Sequence, residues 1–391
     1  MFLPDVLFIG IVLVWVFLWI HRRAAKKNHL RQLRAFLFAL WGYHLVIAYV
    51  YYRYLMHQGG DSLRYWELRS LPLEQAAGWL AHWGLGTAFL QWVNYPFSQG
   101  FALGFLSGTV GYAMLSFVGF LLLAEWIADR FLPVPSARIG IAGMLLLFLP
   151  NAHFWTAGVG KEAFLWLGLI LVLVGADAIS HKWGYLVLGL LLSLMVRPIQ
   201  GLVLCVSVFG VLPFHPALRQ HRRYLVPLAA ALILGIGVYR WIQGSLVYGF
   251  HLRWIGELLH WQQQYLASFG GTSSVPMSDY SLVEKLATVL FRPFIWEAAG
   301  FWTLAASLEN TVLLLGMLGG GWAWFRTKGR LPVPVFYRIS LVYGLLLSLL
   351  FAFTLTNLGI LMRMKSIYSL LVLCFFYERI AYYWSNRTFS T

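Results

Sequence analysis

Charged residues are scarce in this chain. Only 11% of its 391 residues are Asp, Glu, Lys or Arg, and the mean hydropathy is +0.71. A soluble domain carries roughly a quarter charged residues, so the composition excludes an ordinary soluble protein. The apolar runs also lack the polar and apolar alternation of a barrel strand. Because a segment in lipid must satisfy its own backbone hydrogen bonds, the runs are predicted to be membrane helices.

Cysteine is almost absent as well. Cys205 and Cys374 are the two cysteines, and both lie inside apolar runs, which excludes a disulfide framework and a cysteine-based metal site. The first apolar run, 2–20, has no basic residue before it and a basic cluster after it. This is the reverse of a secretory signal, so no cleavable signal is predicted.

The apolar runs predict an all-α fold. We expect a polytopic transmembrane helix bundle of about eleven helices, with interfacial helices on the extracytoplasmic side. Residues 1–391 are expected to form a single integral membrane domain. The predicted spans are approximately 2–20, 35–55, 101–127, 139–150, 164–180, 183–196, 198–214, 225–242, 303–325, 339–356 and 367–384.

Acidic residues are outnumbered by basic ones, and the excess follows the predicted topology. The segments 21–34, 128–138, 181–182, 215–224 and 326–338 and the C-terminal end fall on one side of the membrane. When residues at helix ends are counted with the nearer side, that side holds eighteen of the 29 basic residues but four of the 14 acidic ones. By the positive-inside rule it is cytoplasmic, with the N-terminus outside and the C-terminus inside. The net charge of +15 therefore reflects topology, and no nucleic-acid partner is predicted.

The opposite side has the longer segments. Residues 56–100 and 243–302 are predicted to be large extracytoplasmic segments, and the amphipathic stretch 252–269 is predicted to lie along the interface. Helices shorter than the hydrocarbon core flank the polar turns at 150–162 and 197–200, which would place these turns below the membrane surface. We therefore expect a crevice that opens outward and is lined by polar side chains.

The first candidate site residues follow the second helix. Two glycines precede Asp61 and allow a tight turn, after which Asp61 or Ser62 can cap the next helix. The functional alternative is that Asp61, near Arg64 and Glu67, deprotonates an acceptor hydroxyl or holds a divalent cation.

Basic residues at helix ends form the second candidate group. Lys161 and Glu162 are expected in the first turn of a helix, where the helix dipole disfavours a lysine, so Lys161 indicates either a phosphate ligand or a lysine reaching the interface. Other cations are expected at membrane depth, which lipid disfavours unless each is paired or bound to an anion. Internal pairs such as Arg292–Glu297 or Lys161–Glu162 are the alternative to anion binding. The cations in question are Arg197, Arg292, Arg363 and Lys365.

A polar pair also lies inside the predicted ninth helix. Glu309 and Asn310 are predicted either to form buried hydrogen bonds between helices or to line the crevice.

These motifs resemble those of bacterial glycan-assembly proteins, namely the Wzy/EpsG-like polysaccharide polymerases and the GT-C glycosyltransferases. The similar features are Gly59–Tyr65 after an early helix, Trp155–Glu162 at a helix start, and Arg363 in a late outer loop. The resemblance implies sugar transfer from a polyprenyl-(di)phosphate donor to a glycan acceptor, at the outer face of the bacterial cytoplasmic membrane. No Asp-Asp or Glu-x-Asp pair of the metal-using type is present, so a divalent cation remains an open expectation.

The resemblance also assigns roles. Asp61 would be the base or metal ligand, with Glu67 and His57 beside it and His153 as a further acid–base candidate. Cationic residues would neutralise the diphosphate, and the whole expected phosphate-binding group is Arg64, Lys161, Glu162, Arg197, Arg292, Arg363 and Lys365.

Two other readings remain open for the same residues. A transporter or flippase of a lipid-linked or anionic substrate would use a similar cationic crevice. A non-catalytic subunit of an envelope assembly complex would use the outer segments for docking. The expected partners are the lipid-linked donor, the glycan acceptor and membrane lipids.

Overall fold

A computed structural model describes residues 3–26, 33–70, 78–132, 137–221 and 273–388. Within these ranges the chain is helical and forms no β-strand, apart from one bridge between Ser274 and Asn357. The α-helices are α1 (Leu3–Lys26), α2 (Arg34–Gln58), α3 (Asp61–Trp66), α4 (Thr87–Tyr95), α5 (Phe105–Phe131), α6 (Ala137–Leu145), α7 (Pro150–Thr156), α8 (Lys161–Asp177), α9 (Ile179–Val196), α10 (Pro198–Val211), α11 (Leu282–Phe291), α12 (Phe301–Arg326), α13 (Val335–Thr354) and α14 (Leu358–Thr388).

Eight helical segments in the described part of the chain are long and apolar enough to cross a membrane. They are Leu3–Ala25, Arg34–Gln58, Phe105–Phe131, Arg138–Thr156, Ile179–Val196, Phe301–Arg326, Val335–Thr354 and Leu358–Ser385. The apolar helix Pro198–Phe214 is shorter. The predicted span 225–242 and the predicted interfacial helix 252–269 lie outside the described residues. The all-α class is confirmed, whereas the number of about eleven spans and the interfacial helices stay predictions.

The described chain separates into two compact units. The first contains Met1–Leu202, Leu318–Pro332 and Leu373–Thr391, and the second contains Val203–Met317 and Val333–Val372. Each unit is described by itself below.

Helix α8 lies inside the first unit. Every residue from Glu162 to Ala176 is buried, as expected for a helix that is apolar on all sides. Its neighbour α9 packs closely because both helices present glycine at the contact. A Cβ atom on Gly189 would lie 2.4 Å from the carbonyl oxygen of Gly168. The two backbones therefore approach as far as they do only without side chains at these positions.

Polar contacts connect both ends of α1 to α5. At the start of α1, the buried Asp5 carboxylate accepts hydrogen bonds from the Gly104 backbone N–H at 2.8 Å and the Ser107 hydroxyl at 2.5 Å. This carboxylate satisfies N–H and O–H donors at the first turn of α5. At the other end, Arg23 binds Glu125 at 2.9 Å. The two helices therefore run parallel.

A second ion cluster joins the end of α5 to the end of α14. Arg130 binds Glu378 at 2.5 Å, and Glu378 also contacts the buried guanidinium of Arg379 at 3.3 Å. Arg379 donates to the carbonyl oxygen of Leu331 at 2.7 Å. This arrangement gives the buried charges hydrogen-bonded partners, which a low-dielectric interior requires.

In the second unit, α11 begins with a capping box. The Ser281 hydroxyl accepts from the Glu284 backbone N–H, and the Glu284 carboxylate accepts from the Ser281 backbone N–H. These hydrogen bonds hold the pKa of Glu284 below its usual value. Deeper in the unit, the Ser348 hydroxyl of α13 lies 2.9 Å from the Tyr368 hydroxyl of α14.

Candidate functional site

A polar cavity opens beside α3 in the first unit. Its volume is about 560 Å³, within the range of small-molecule sites. Three of the predicted site residues share it, namely Asp61, Arg64 and Glu67. The complete lining is Asp61, Arg64, Tyr65, Glu67, Arg69, Ser70 and Thr87.

The short helix α3 is fixed along its inner side. The Tyr51 hydroxyl lies 2.8 Å from the Ser62 hydroxyl, and the Trp66 indole donates to the Leu103 carbonyl at 3.0 Å. Asn94 donates to the Tyr65 carbonyl at 3.0 Å. Ser62, Tyr65 and Trp66 are consequently buried, which leaves the opposite side of α3 exposed.

The exposed side of α3 carries a carboxylate and a guanidinium. Asp61 and Arg64 are both exposed, and neither side chain has a hydrogen bond or ion pair with any described residue. Glu67 is also exposed and makes a loose contact of 3.7 Å with Arg69. Exposed pairs of this kind contribute little to stability, so the cavity charges are available to a ligand.

The turn before α3 is formed as predicted, but its cap is not. Gly59 and Gly60 have φ angles of +69° and +147°, a region that favours glycine. Gly60 is the N-cap and Asp61 is the first helical residue, without a side-chain capping hydrogen bond. The predicted cap by Asp61 or Ser62 is therefore wrong. The Ser62 hydroxyl is engaged by Tyr51 instead.

The end of α3 turns the chain along the cavity. Leu68 has a φ of +59°, and the Arg69 backbone N–H donates to the Arg64 carbonyl at 2.9 Å. This is a Schellman-type helix end in which leucine occupies the left-handed position that usually holds glycine. The strained residue places Glu67 and Arg69 on the cavity wall.

Lys161 lies next to the cavity wall. As predicted, it begins α8, and its Nζ lies 5.6 Å from the centre of the Tyr65 ring, a cation–π contact. The preceding loop is held close to α2, because a Cβ on Gly158 would lie 1.9 Å from a ring carbon of Tyr51.

Arg197 forms an ion pair with Glu162. The Glu162 side chain is almost fully buried and the Arg197 side chain is about a fifth exposed. Glu162, which the sequence suggested as a possible partner of Lys161, thus binds Arg197, and the Lys161–Glu162 pair stays a prediction. The Gly86 backbone N–H also donates to the Met195 carbonyl at 2.7 Å, which brings the end of α9 to the start of α4 beside Thr87.

The other candidates have separate surroundings. His57 is exposed at the end of α2, 3.4 Å from Arg53. In the second unit, Arg292 binds Glu297 and donates to the Tyr280 hydroxyl at 3.2 Å. The Arg292–Glu297 pair, which the sequence left as the alternative to anion binding, is therefore present.

Lys365 and Asn310 bind backbone carbonyls at the same corner of the second unit. The buried Lys365 ammonium donates to the carbonyls of Leu290 at 2.9 Å and Arg292 at 3.0 Å. Asn310 donates to the Pro293 carbonyl at 3.1 Å, so it forms one of the buried hydrogen bonds expected for it. Arg363 is half-buried in α14.

Partial burial acts to raise the pKa of the Glu297 carboxyl. The hydrogen bonds from Arg292 and from the Phe294 backbone N–H outweigh burial and hold that pKa below its usual value. The same ion pair raises the pKa of Arg292.

No group of three or more His, Cys, Asp or Glu side chains gathers around a possible cation position within the described ranges. Asp61 as a ligand of a divalent cation stays a prediction.

The polar residues that hold α3 in place were not predicted from the sequence. Tyr112 donates to Asn94 at 2.7 Å, and Asn94 in turn binds the Tyr65 backbone. Asn94 inside an apolar stretch was a usable signal, because a buried amide needs partners. Its partners are 18 and 29 residues away in sequence, so they could not be identified from local spacing.

Together, the fold and the cavity define a class of protein. The chain is all helical in its described part and has eight helices able to cross a membrane, which fits an integral membrane protein with a polar cavity beside α3. Comparison with protein-family models, curated protein sequences and solved structures finds no match to the chain.

Proposed function

We propose that the chain transfers a sugar from a polyprenyl-(di)phosphate-linked donor to a glycan acceptor, at the outer face of the bacterial cytoplasmic membrane. The observation that supports this proposal is the composition of the cavity beside α3. A carboxylate, Asp61, and a guanidinium, Arg64, face it without protein partners among the described residues, and Lys161 contacts its wall through Tyr65.

The charges divide into two roles. Arg64 and Lys161 bind the phosphate groups, Arg64 by paired N–H donors and Lys161 as a point charge. Arg197 is expected to bind the donor less strongly, because its guanidinium is already paired with Glu162. Glu67 adds negative charge near Asp61. Because this charge repels an anion, it favours an uncharged acceptor hydroxyl beside Asp61.

In the proposed reaction, the acceptor hydroxyl oxygen attacks the anomeric carbon of the donor sugar. The bond from that carbon to the phosphate oxygen breaks, and its electron pair leaves with the (di)phosphate. Asp61 takes the proton of the attacking hydroxyl. Arg64 and Lys161 stabilise the negative charge that develops on the leaving group.

The proposal is tested with Asp61→Asn and Arg64→Gln in cells that make their surface glycan only with this chain. We expect Asp61→Asn to lower glycan output about 100-fold or more, as removal of a general base does. Arg64→Gln should lower it as well. Asp279→Asn is the matched control, because Asp279 is an exposed carboxylate that does not line the cavity. Protein level in the membrane is measured for each variant.

The location of the lipid-linked precursor separates the proposal from its alternatives. Precursor that accumulates on the outer leaflet supports sugar transfer. Precursor retained on the inner leaflet would instead indicate a flippase. Normal glycan with loss of a partner complex would indicate an assembly subunit, and unchanged glycan in both variants would rule out this cavity as the reaction site.

A further inference from the structure

A network of hydrogen-bonded polar groups lies in the interior of the first unit. His44 of α2 and His153 of α7 are fully buried, and their Nδ1 atoms are 2.7 Å apart. The Nε2 atom of His44 lies 2.9 Å from the Ser116 hydroxyl of α5, and Nε2 of His153 lies 2.6 Å from the Leu147 carbonyl oxygen. All four ring nitrogens therefore have a partner, and none faces solvent.

The partners fix where the hydrogen atoms are when both rings are neutral. The Leu147 carbonyl can only accept, so His153 carries its hydrogen on Nε2 and accepts on Nδ1. His44 must then donate from Nδ1, which leaves its Nε2 as an acceptor for the Ser116 hydroxyl. The chain of donors runs in one direction, from Ser116 through both histidines to Leu147.

The same groups can take up one more proton without losing a hydrogen bond. The Ser116 hydroxyl also lies 3.2 Å from the Ala113 carbonyl oxygen. If His44 is protonated on Nε2, this nitrogen donates to the Ser116 oxygen and the hydroxyl turns to donate to Ala113. A second proton, on Nδ1 of His153, would set two N–H groups against each other across 2.7 Å. Contact between the rings would then break.

We propose that His44, Ser116 and His153 form a binding site for a single proton inside the membrane-spanning part of the protein. The bound proton is shared between α2 and α7 while both remain packed against α5. A second proton would separate α2 from α7.

The surroundings contain aromatic rings rather than charges. Phe120 stacks on His153 at 3.9 Å between ring centres and lies 5.2 Å from His44. Such a ring face favours a cation. The titratable group that faces the pair is Tyr43, whose ring centre is 5.0 Å from that of His153, and Trp166 of α8 faces Phe120.

The charged residues of α2 and α5 lie farther along these helices, and on α8 Glu162 lies one turn before Trp166. On α2, Arg53 is nine residues after His44, and on α5, Glu125 is nine residues after Ser116, which corresponds to about 14 Å in each case. Within α7 (Pro150–Thr156), His153 is the one titratable residue. In this proposal, a proton on the pair is held by the hydrogen bonds of the network and the face of the Phe120 ring, without a counter-charge on α7.

The site is connected to the cavity beside α3 through both of its helices. Two turns after His44, Tyr51 binds Ser62 of α3. Five residues after His153, Gly158 packs on the Tyr51 ring. Separation of α2 from α7 would therefore move Lys161 relative to α3. The proton site itself stands whether or not the cavity transfers sugar.

The experiment observes the ring nitrogens directly. The full chain, labelled with ¹⁵N in its 11 histidines, is studied in lipid bilayers by NMR from about pH 8 to about pH 5, the range in which histidine titrates. His44→Asn and His153→Gln assign the two signals. The side-chain amide of asparagine can donate from the position of the ring's Nδ1, and that of glutamine from the position of Nε2. His181→Gln serves as the exposed control.

We expect the His44 and His153 signals to shift together in one step that corresponds to one proton for the pair. Ser116→Ala should move this step to lower pH by about 1 unit, the size of one hydrogen bond to a charged group. The proposal is overturned if both rings remain neutral while circular dichroism shows a folded protein, or if each takes up its own proton. If the histidine variants do not fold, Ser116→Ala assigns the pair instead, as the signals whose step it moves in comparison with wild type, and the absence of any such signal overturns the proposal.

Discussion

At the scale of single residues, the most informative groups are partly or fully buried charges with several partners. Glu297 accepts from the Arg292 guanidinium, at 2.8 Å from its Nε, and from the Phe294 backbone N–H at 2.7 Å. From the sequence, the Arg292–Glu297 pair was one of the alternatives to anion binding, and the structure contains it. The sequence could not predict that Lys365 binds the backbone carbonyl of Arg292, since those residues are 73 positions apart.

The Glu297 pair makes a pH-dependent contribution to stability. The pKa of Glu297 is lower in the folded protein than its usual 4.5, so folding favours the charged carboxylate. This contribution is complete above about pH 4.5 and is lost as the pH falls through the folded pKa. We expect Glu297→Gln to lower the free energy of unfolding by about 1–2 kcal/mol at neutral pH.

The measurement is thermal unfolding of both proteins from neutral pH down to about pH 3, a range over which the contribution declines. The difference between wild type and Glu297→Gln should shrink toward acid pH. Asp279→Asn removes an exposed carboxylate that does not bind Arg292, and should leave the profile close to wild type. A difference that grows on acidification would contradict the sign of the argument.

At the scale of helices, apolar runs and motif positions predicted much of what the structure shows. The Gly-Lys-Glu motif placed the start of α8 at Lys161, where it is observed. Residues 139–150 were predicted as one short span, and the structure has one candidate span there, Arg138–Thr156, which consists of α6, a 3-10 turn at Leu146–Phe148 and α7. Pro150 explains the break, because proline is accepted in the first helical turn but not in a helix interior. The helix boundary is therefore visible in the sequence.

The contact between α8 and α9 provides a test with an internal control. A Cβ on Gly189 would meet the Gly168 carbonyl at 2.4 Å and Val172 at 2.8 Å, whereas a Cβ on Gly184 of the same helix would meet nothing within 4 Å. We expect Gly189→Ala to force the helices apart and lower the free energy of unfolding by about 1–3 kcal/mol. Gly184→Ala should be neutral or stabilise by about 0.5 kcal/mol, because alanine restricts the unfolded chain.

The two variants are compared by thermal unfolding in the same detergent. Equal effects at both positions would show that the α8–α9 contact does not depend on the absence of a side chain. A loss confined to Gly189→Ala would identify close backbone approach as the cause.

At the scale of the whole molecule, the sequence indicated the class of fold but not the partners of its charges. Arg130 and Glu378 are 248 residues apart, and His44 and His153 are 109 apart. Hydrophobic periodicity carries no information about such pairs, because it indicates which side of a helix is apolar and not which polar residues of different helices meet. In the candidate site, Asp61, Arg64 and Glu67 share a cavity because they are close in sequence. Lys161 contacts its wall through a fold that the sequence did not reveal.

The predicted orientation of the chain in the membrane can be tested with single cysteines. Cys205 and Cys374 are buried, so background labelling should be low. Gln58 and Leu85 are exposed in the segment predicted to be extracytoplasmic, and Ala25 and His181 are exposed in segments predicted to be cytoplasmic. We expect a membrane-impermeant maleimide to label Gln58→Cys and Leu85→Cys in intact bacterial cells. Ala25→Cys and His181→Cys should react only after the membrane is permeabilised.

This pattern follows from the positive-inside rule, since the segments that contain Ala25 and His181 belong to the side with eighteen of the 29 basic residues. The inverse pattern would place the cavity beside α3 in the cytoplasm. A donor on the outer leaflet could not then reach Asp61 and Arg64, whereas the proton site of His44 and His153 would be unaffected. If Gln58→Cys is labelled and Leu85→Cys is not, then position 58, before α3, and position 85, in the loop after it, do not share one aqueous side. The orientation experiment therefore tests the premise of the sugar-transfer proposal separately from its chemistry.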